Sequence, residues 1–311
     1  YHAGEEGITL NEEATADAIE KALEQGEFVC TVEATVNAVL PGGNIDDLKA
    51  ATSFIASYTT KFSARRDDEV KQNRKFNIQK AADIINGNTI QPGEEWSFNT
   101  VVGPRTYELG WKGANGISGG KEYTIQAGGG ICQVSTTLYN ALLCANMEIV
   151  DRRAHTIPSD YVPVGLDATV DTRGIDFVWK NNTDMPAYIF AKVENVEGSS
   201  SRHTKTVYVY GKPLPEGVTY QSRNEIIEER SRQDEAIYTN DASIPTGYQL
   251  ERVQGHKYYV AEAYQDKYVD GKLAESKLLY TDKYKGNPPE VSIGTGAPLA
   301  SGQTPDPAWQ P

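Results

Sequence analysis

The sequence predicts an α+β protein. Three stretches, residues 9–25, 73–86 and 131–143, space their apolar residues for helices, while many shorter segments alternate like strands. The 18 tyrosines also favour strands. With 311 residues, 39% of them hydrophobic, the chain can build real cores in two or three domains.

Residues 9–25 form the first expected helix. Thr9 or Asn11 caps it, Glu12 and Glu13 suit its positive end, Ala18, Ala22 and Leu23 face inward, and Gly26 ends it. Residues 28–39 alternate as a strand with Cys30 pointing into a small core. The turn at 40–44 (LPGGN) reads as a linker. A strand is expected at 55–62, then a charged, solvated loop at 65–68. The helix at 73–86 has Phe76, Ile78, Ala81, Ala82 and Ile85 at helical spacing, with Gly87 closing it. Trp96 to Phe98 starts a strand. Residues 101–120 form a glycine-rich loop in which Arg105 either braces the backbone or offers a fork to a substrate carboxylate. Further strands are expected at 122–126, 148–153 and 205–210, with 175–179 and 187–193 as a pair around a turn at 181–186. From Ile226 onward the pattern is all strand, with an Asp-Gly hairpin turn at Asp270 and Gly271. Residues 297–311, rich in Pro, Gly, Ser and Ala, are expected to be disordered. The boundaries that follow are 1–44, 45–215, 216–296 and 297–311.

The formal net charge of -13 argues against a nucleic-acid partner, whose phosphates would be repelled. Local cationic pockets can still meet carboxylates within an acidic surface. Three cysteines make no disulfide framework, and no Cys-x-x-Cys or zinc spacing is present. No apolar run is long enough to span a bilayer. The first residue is Tyr1, which suggests a piece cut downstream of an N-terminal anchor.

The chemistry concentrates at residues 127–143, AGGGICQVSTTLYNALL. Gly128, Gly129 and Gly130 precede Cys132 at the start of a helix with one buried face. A cysteine there is favoured as thiolate by free N–H groups and the helix dipole. The same N–H groups of Cys132, Gly129 and Gly130 could hold a developing oxyanion, with Gln133 as a further donor and Ser135 and Thr136 in the first turn. A cysteine nucleophile needs a base. Of the four histidines, His2 lies in a loose start, His203 in a solvent-facing loop and His256 in the C-terminal module, which leaves His155. The orienting group is Asp167, Asp160, Ser159 or a backbone carbonyl. Cys144 packs in the helix core. Paired carboxylates for glycan cleavage could come from Glu94, Glu95 and Glu122, but none has a recognisable catalytic setting.

The run GGGICQVSTTLYNALL resembles the signature of the VanW domain family. So do Arg74, Asn77, Ala81, Ala82, the ING at 85–87, PGEEWSFN at 92–99, VGPRT at 102–106, AHTIPSDYVPVGLDATV at 154–170 and NNTDMPAYI at 181–189. Together these blocks cover roughly the middle half of the chain. The resemblance implies a mixed α/β catalytic domain and a cysteine L,D-transpeptidase that joins peptidoglycan stem peptides, working outside the cell at the wall without a cofactor, and it favours Asp167, within the 154–170 block, as the orienting group. A non-catalytic wall-binding protein, or an L,D-carboxypeptidase using the same cysteine, are the alternatives. Anchoring to wall or membrane would come from a segment absent from this chain. Residues 1–44 resemble the end of a peptidoglycan-binding domain. Gly247, Gly255, Gly271 and Gly294 resemble a five-glycine domain of extracellular wall proteins.

Overall fold

The computed structural model describes residues 7–26, 36–39, 52–118 and 122–311. The chain divides into two compact units, residues 1–53 and 54–311. In the first unit β1 (Gly7–Leu10) pairs antiparallel with β2 (Val36–Val39), joining Gly7 to Val39 and Leu10 to Val36. Between them α1 (Glu12–Glu24) starts at Asn11, whose Oδ1 accepts from the Ala14 N–H at 3.0 Å. Thr9 belongs to the strand, so the helix starts later than its spacing suggested, and Leu23 is exposed rather than inward-facing. His2, Cys30 and most of the strand expected at 28–39 lie outside the described residues.

The second unit opens with β3 (Ser53–Ser63) and α2 (Glu69–Ile85). The helix begins four residues before the apolar spacing does. Asp68, read as part of a solvated charged loop, caps it by accepting from the Lys71 N–H at 3.0 Å. Next come β4 (Asn88–Ile90), β5 (Glu95–Ser97), the short α3 (Phe98–Val102), β6 (Gly113–Ser118), β7 (Glu122–Ala127), α4 (Ile131–Cys144), β8 (Glu148–Asp151), β9 (Val178–Lys180), β10 (Ala187–Asn195) and β11 (Arg202–Gly211). The C-terminal part holds β12 (Val218–Arg230), β13 (Ile237–Pro245), β14 (Gln249–Val253), β15 (Tyr258–Val269), β16 (Lys272–Tyr284) and β17 (Glu290–Gly296). The fold is α+β, with a strand-rich C-terminal module.

Five sheets organise this unit: β3-β11-β10-β4, β5-β9-β8, the β6-β7 hairpin, β12-β15-β16 and β13-β17-β14. The segments at 175–179 and 187–193 do not pair with each other. β9 lies between β5 and β8, while β10 pairs with β11 and β4. The polar turn between them lets the chain change sheets, and Asn181 fixes that turn by donating to Ile90 O and Met185 O. The Asp-Gly hairpin forms as expected, with Asp270 at φ 50° and Gly271 at φ 74° between β15 and β16. The expected disorder beyond Gly296 does not extend to the last residues. Gln310 exchanges two backbone hydrogen bonds of 2.8 Å with Gln249 on the edge of β14. His203 is a further correction: it is almost fully buried, its ring against Phe62 at 5.2 Å, because β11 turns it toward the core.

Helix α4 is the axis of the core. Ile131 and every residue from Gln133 to Leu143 is buried, so the single buried face expected for it becomes burial all round. Polar side chains can sit there because they bond locally. Thr137 bonds Gln133 O at 2.6 Å and Thr60 Oγ1 at 2.8 Å, and Asn140 donates to Leu166 O at 2.8 Å. The apolar side chains Val134, Leu138 and Leu142 complete the packing without exposed surface. Leu138→Ala is expected to leave a cavity and cost about 2–5 kcal/mol. Urea unfolding checks this; a loss below about 1 kcal/mol would mean the helix is not the packing axis.

Candidate active site

The glycine turn is set by close approach as much as by φ. Gly129 lies against the hairpin: an added Cβ would stand 2.3 Å from Ala114 O and 2.7 Å from Asn115 O. Asn77 on α2 holds the same turn, donating to Gly129 O at 3.0 Å and to Lys112 O at 2.9 Å. Gly130 is left-handed at φ 102° and precedes the first helical residue. A Cβ there would meet the Arg74 stem at 2.7 Å, and one on Gly128 would meet the Arg105 stem at 2.8 Å. Two arginine stems therefore press on the turn. Among the described residues the N–H groups of Gly130 and Cys132 carry no hydrogen bond, as the first turn of a helix leaves them.

Cys132, in that first turn, is half-buried. Its sulfur lies 3.3 Å from Val170 O and 3.6 Å from Thr169 Oγ1. His155 comes to it from the loop after β8. The His155 backbone N–H donates to Asp167 Oδ2 at 2.7 Å, and ring Nδ1 bonds the same oxygen. Asp167 does not use the other ring nitrogen, and the imidazole lies near enough to the Cys132 sulfur for each group to shift the other's charge. Asp160, the other carboxylate considered, is exposed, while Asp167 is buried.

Burial pushes the Cys132 thiol up, but the hydrogen bond and positive charge of His155 outweigh it and bring the pKa to about 7. Burial pushes His155 down, but Asp167 and Cys132 hold it up at about 10. Burial also disfavours charge on Asp167. His155, Arg152 and Tyr284 nevertheless keep it well below the usual carboxylate range. From about pH 7 to about pH 10 the pair is therefore thiolate and imidazolium.

Three residues placed with substrate from the sequence face the protein instead. Gln133 spends its amide donors on Thr60 Oγ1 at 2.9 Å and Lys61 O at 3.1 Å, while its oxygen accepts from Arg74 at 2.6 Å. It has no donor left for an oxyanion. Ser135 donates to Ala168 O at 2.6 Å, and Thr136 accepts from the Ala168 N–H at 3.0 Å. Both are buried and clamp the segment bearing Asp167, Thr169 and Val170 against α4. Gly129 belongs to the turn's packing. Arg105 is nearly buried, and its charge acts at Cys132. One of its terminal nitrogens, Nη1, bonds Asn99 Oδ1 at 2.7 Å and Gly103 O at 3.1 Å, so it also braces its loop.

Sequence reasoning missed Arg152, Tyr161 and Tyr284. Arg152 donates to Asp167 O at 2.6 Å and Gly165 O at 2.9 Å. Tyr161 bonds Thr136, near the charge of Cys132, and its ring centre lies 6.0 Å from the Arg74 guanidinium. Arg152 and Tyr161 lie within three and six residues of His155 in sequence, which was the available signal. Tyr284 offered none. Cys144, at the end of α4, is partly buried against the core as expected, and burial raises its thiol. Glu94 and Glu95 are exposed. Among the described residues no His, Cys, Asp and Glu side chains cluster as a metal site, and no helix is long and apolar enough to cross a membrane.

A cysteine paired with a carboxylate-backed imidazole beneath two unpaired helix-start amides defines a site suited to acyl transfer. Most of the residues that build it lie in 73–200, which match the family model described as "VanW like protein". Among named relatives, "Uncharacterized protein YoaR" of Bacillus subtilis (strain 168) is 42% identical over 142 residues, 46% of this chain and 45% of that protein. The match thus spans less than half of that relative's length. "Vancomycin B-type resistance protein VanW" of Enterococcus faecalis (strain ATCC 700802 / V583) is 26% identical over 220 residues, 69% of this chain and 70% of that one. A C-terminal part is similar to the IgA1 protease G5 domain structure at 16% identity and TM-score 0.18, covering 25% of this chain and 93% of that one.

The charge state of Cys132 is directly testable. Its alkylation by iodoacetamide should rise with pH through a midpoint near 7, since thiolate forms as pH climbs past the folded pKa. In His155→Ala, burial stays while the imidazolium is lost, so the midpoint should move above about 8.5. Equal midpoints in the two proteins, read by mass spectrometry of the Cys132 peptide, would contradict the pairing.

Proposed function

We propose that the chain is a cysteine acyltransferase of the cell wall, an L,D-transpeptidase that joins peptidoglycan stem peptides, with Cys132 as nucleophile, His155 as base and acid, and Asp167 as the group that orients it. The observation that carries this reading is the Asp167-backed imidazole, whose charge lowers the pKa of Cys132, together with the unpaired N–H groups of Gly130 and Cys132. The substrate class comes from the VanW family, which resemblance connects with cysteine L,D-transpeptidases. The site would work outside the cytoplasmic membrane, facing the wall.

The Cys132 thiolate attacks the carbonyl carbon at the L-centre that precedes the terminal D-alanine of a tetrapeptide stem. A C–S bond forms and the carbonyl π pair moves onto oxygen, where the Cys132 and Gly130 amides meet it. Collapse breaks the C–N bond, and the leaving D-alanine nitrogen takes the proton held by His155. A side-chain amine of a second stem then attacks the thioester. His155 accepts its proton, the new amide forms and Cys132 leaves as thiolate. Water in place of the amine gives the carboxypeptidase outcome from the same intermediate. Arg105, whose charge acts at Cys132, would meet a substrate carboxylate near the sulfur.

Incubation with a disaccharide-tetrapeptide should release D-alanine and leave a thioester on Cys132, seen as a mass adduct. Cys132→Ala should form none and lose turnover by at least about a thousandfold, with His155→Ala losing about 10²–10⁴-fold. An adduct persisting in Cys132→Ala, or a wild-type protein that binds sacculi but releases nothing, would refute the enzymatic reading. The latter result would leave a wall-binding role.

A further inference from the structure

The group that fixes Asp167 comes from the far end of the chain. Tyr284, the last residue of β16 and fully buried, donates its hydroxyl proton to Asp167 Oδ1. The Tyr284 hydroxyl oxygen in turn accepts from the Gly165 N–H at 2.9 Å. The hydroxyl thus has a donor and an acceptor on opposite sides and a single orientation. Asp167 Oδ2 is taken by His155. The two carboxylate oxygens therefore face two parts of the chain, with the imidazole on one and the C-terminal sheet on the other.

Other contacts register that sheet against the site. Asp282, two residues before Tyr284, pairs with Arg152, whose remaining donors hold Gly165 O and Asp167 O. Asn224 on β12 donates to Val164 O at 3.0 Å. Gln265 on β15 donates to Leu143 O at 2.7 Å, at the end of α4. A Cβ on Gly165 would come 3.2 Å from Ala261 on β15, so the loop lies directly on the sheet.

We infer that the end of β16 serves the site itself rather than only an independent wall-binding module: Tyr284 is a positioning residue that holds the Asp167 carboxylate so that His155 faces Cys132. The inference rests on the proposed role of Cys132. Without the Tyr284 hydroxyl, Asp167 Oδ1 loses its oriented donor and the buried Gly165 N–H loses its acceptor. The carboxylate can then rotate, and the imidazole spends less time on the sulfur.

The test is the pH dependence of iodoacetamide alkylation at Cys132 in the full chain, read on the Cys132 peptide. In Tyr284→Phe the midpoint should rise from near 7 toward the ordinary cysteine value of about 8.5, and the rate at pH 7 should fall about tenfold. With a stem tetrapeptide, kcat should fall while KM holds. Gln265→Leu loosens the same sheet at α4 without touching Asp167. It should lower the melting temperature and leave the midpoint in place. A folded Tyr284→Phe with the wild-type midpoint overturns the inference, as does a Gln265→Leu midpoint that moves equally. Were Tyr284→Phe not to fold, Asp282→Asn, which releases Arg152, carries the same test and should raise the midpoint in the same sense. Alkylation needs no peptide substrate. A wild-type midpoint near 7 that Tyr284→Phe raises, with no stem-peptide turnover, would therefore sink the proposed function and keep the inference.

Discussion

The buried Asp167 carboxylate is the constraint on which the site depends. An ionised carboxylate out of water is costly unless donors surround it. Here the backbone and ring of His155, the Tyr284 hydroxyl and Arg152 at 3.5 Å do so. Each donor fixes another element in return. His155 is held with one ring nitrogen on the carboxylate and its charge acting on the sulfur, Arg152 ties the 165–167 backbone, and Tyr284 brings the end of β16 to the loop. The half-buried sulfur is therefore charged at neutral pH because of an anion one residue removed from it in the chain of hydrogen bonds.

Helix α4 makes the other half possible. Its first turn presents a thiol and unpaired amides, and its remaining turns are enclosed. Enclosure favours partners for its hydroxyl and amide groups, and Ser135, Asn140 and Gln133 find them on the backbone of residues 166–168 and of β3. Ser135, Thr136 and Asn140 therefore act on the chemistry at one remove, by fixing the strand-like segment from which Asp167, Thr169 and Val170 surround the sulfur. Polar side chains in this helix are read better as clamps than as substrate contacts.

Local signals were legible from the residues alone. The three glycines before an apolar-spaced run placed Cys132 at a helix start, and Gly129 and Gly130 do sit where a Cβ would collide. His155 was reached by elimination among four histidines, and Asp167 through a family pattern. The expected strand pair at 175–193 was not found, because alternation reports which side chains are buried and says nothing of which strand lies alongside. His203 was misplaced for a related reason: a polar loop precedes it, yet its parity in β11 turns it inward.

What the sequence determined by itself was therefore local: the presence of the helices, the glycine turn, and a cysteine at a helix start beside backbone N–H donors. Those follow from φ, from spacing of 2 or 3.6 residues and from side-chain type. Tertiary structure alone decided that α4 is enclosed beyond its first turn, and that Gln133 spends its donors internally. It also decided that Tyr284, 117 residues from Asp167, completes the carboxylate's shell. A hydrogen bond across such a separation leaves no period and no spacing in the chain, since it depends on the register of β16 and the docking of its sheet.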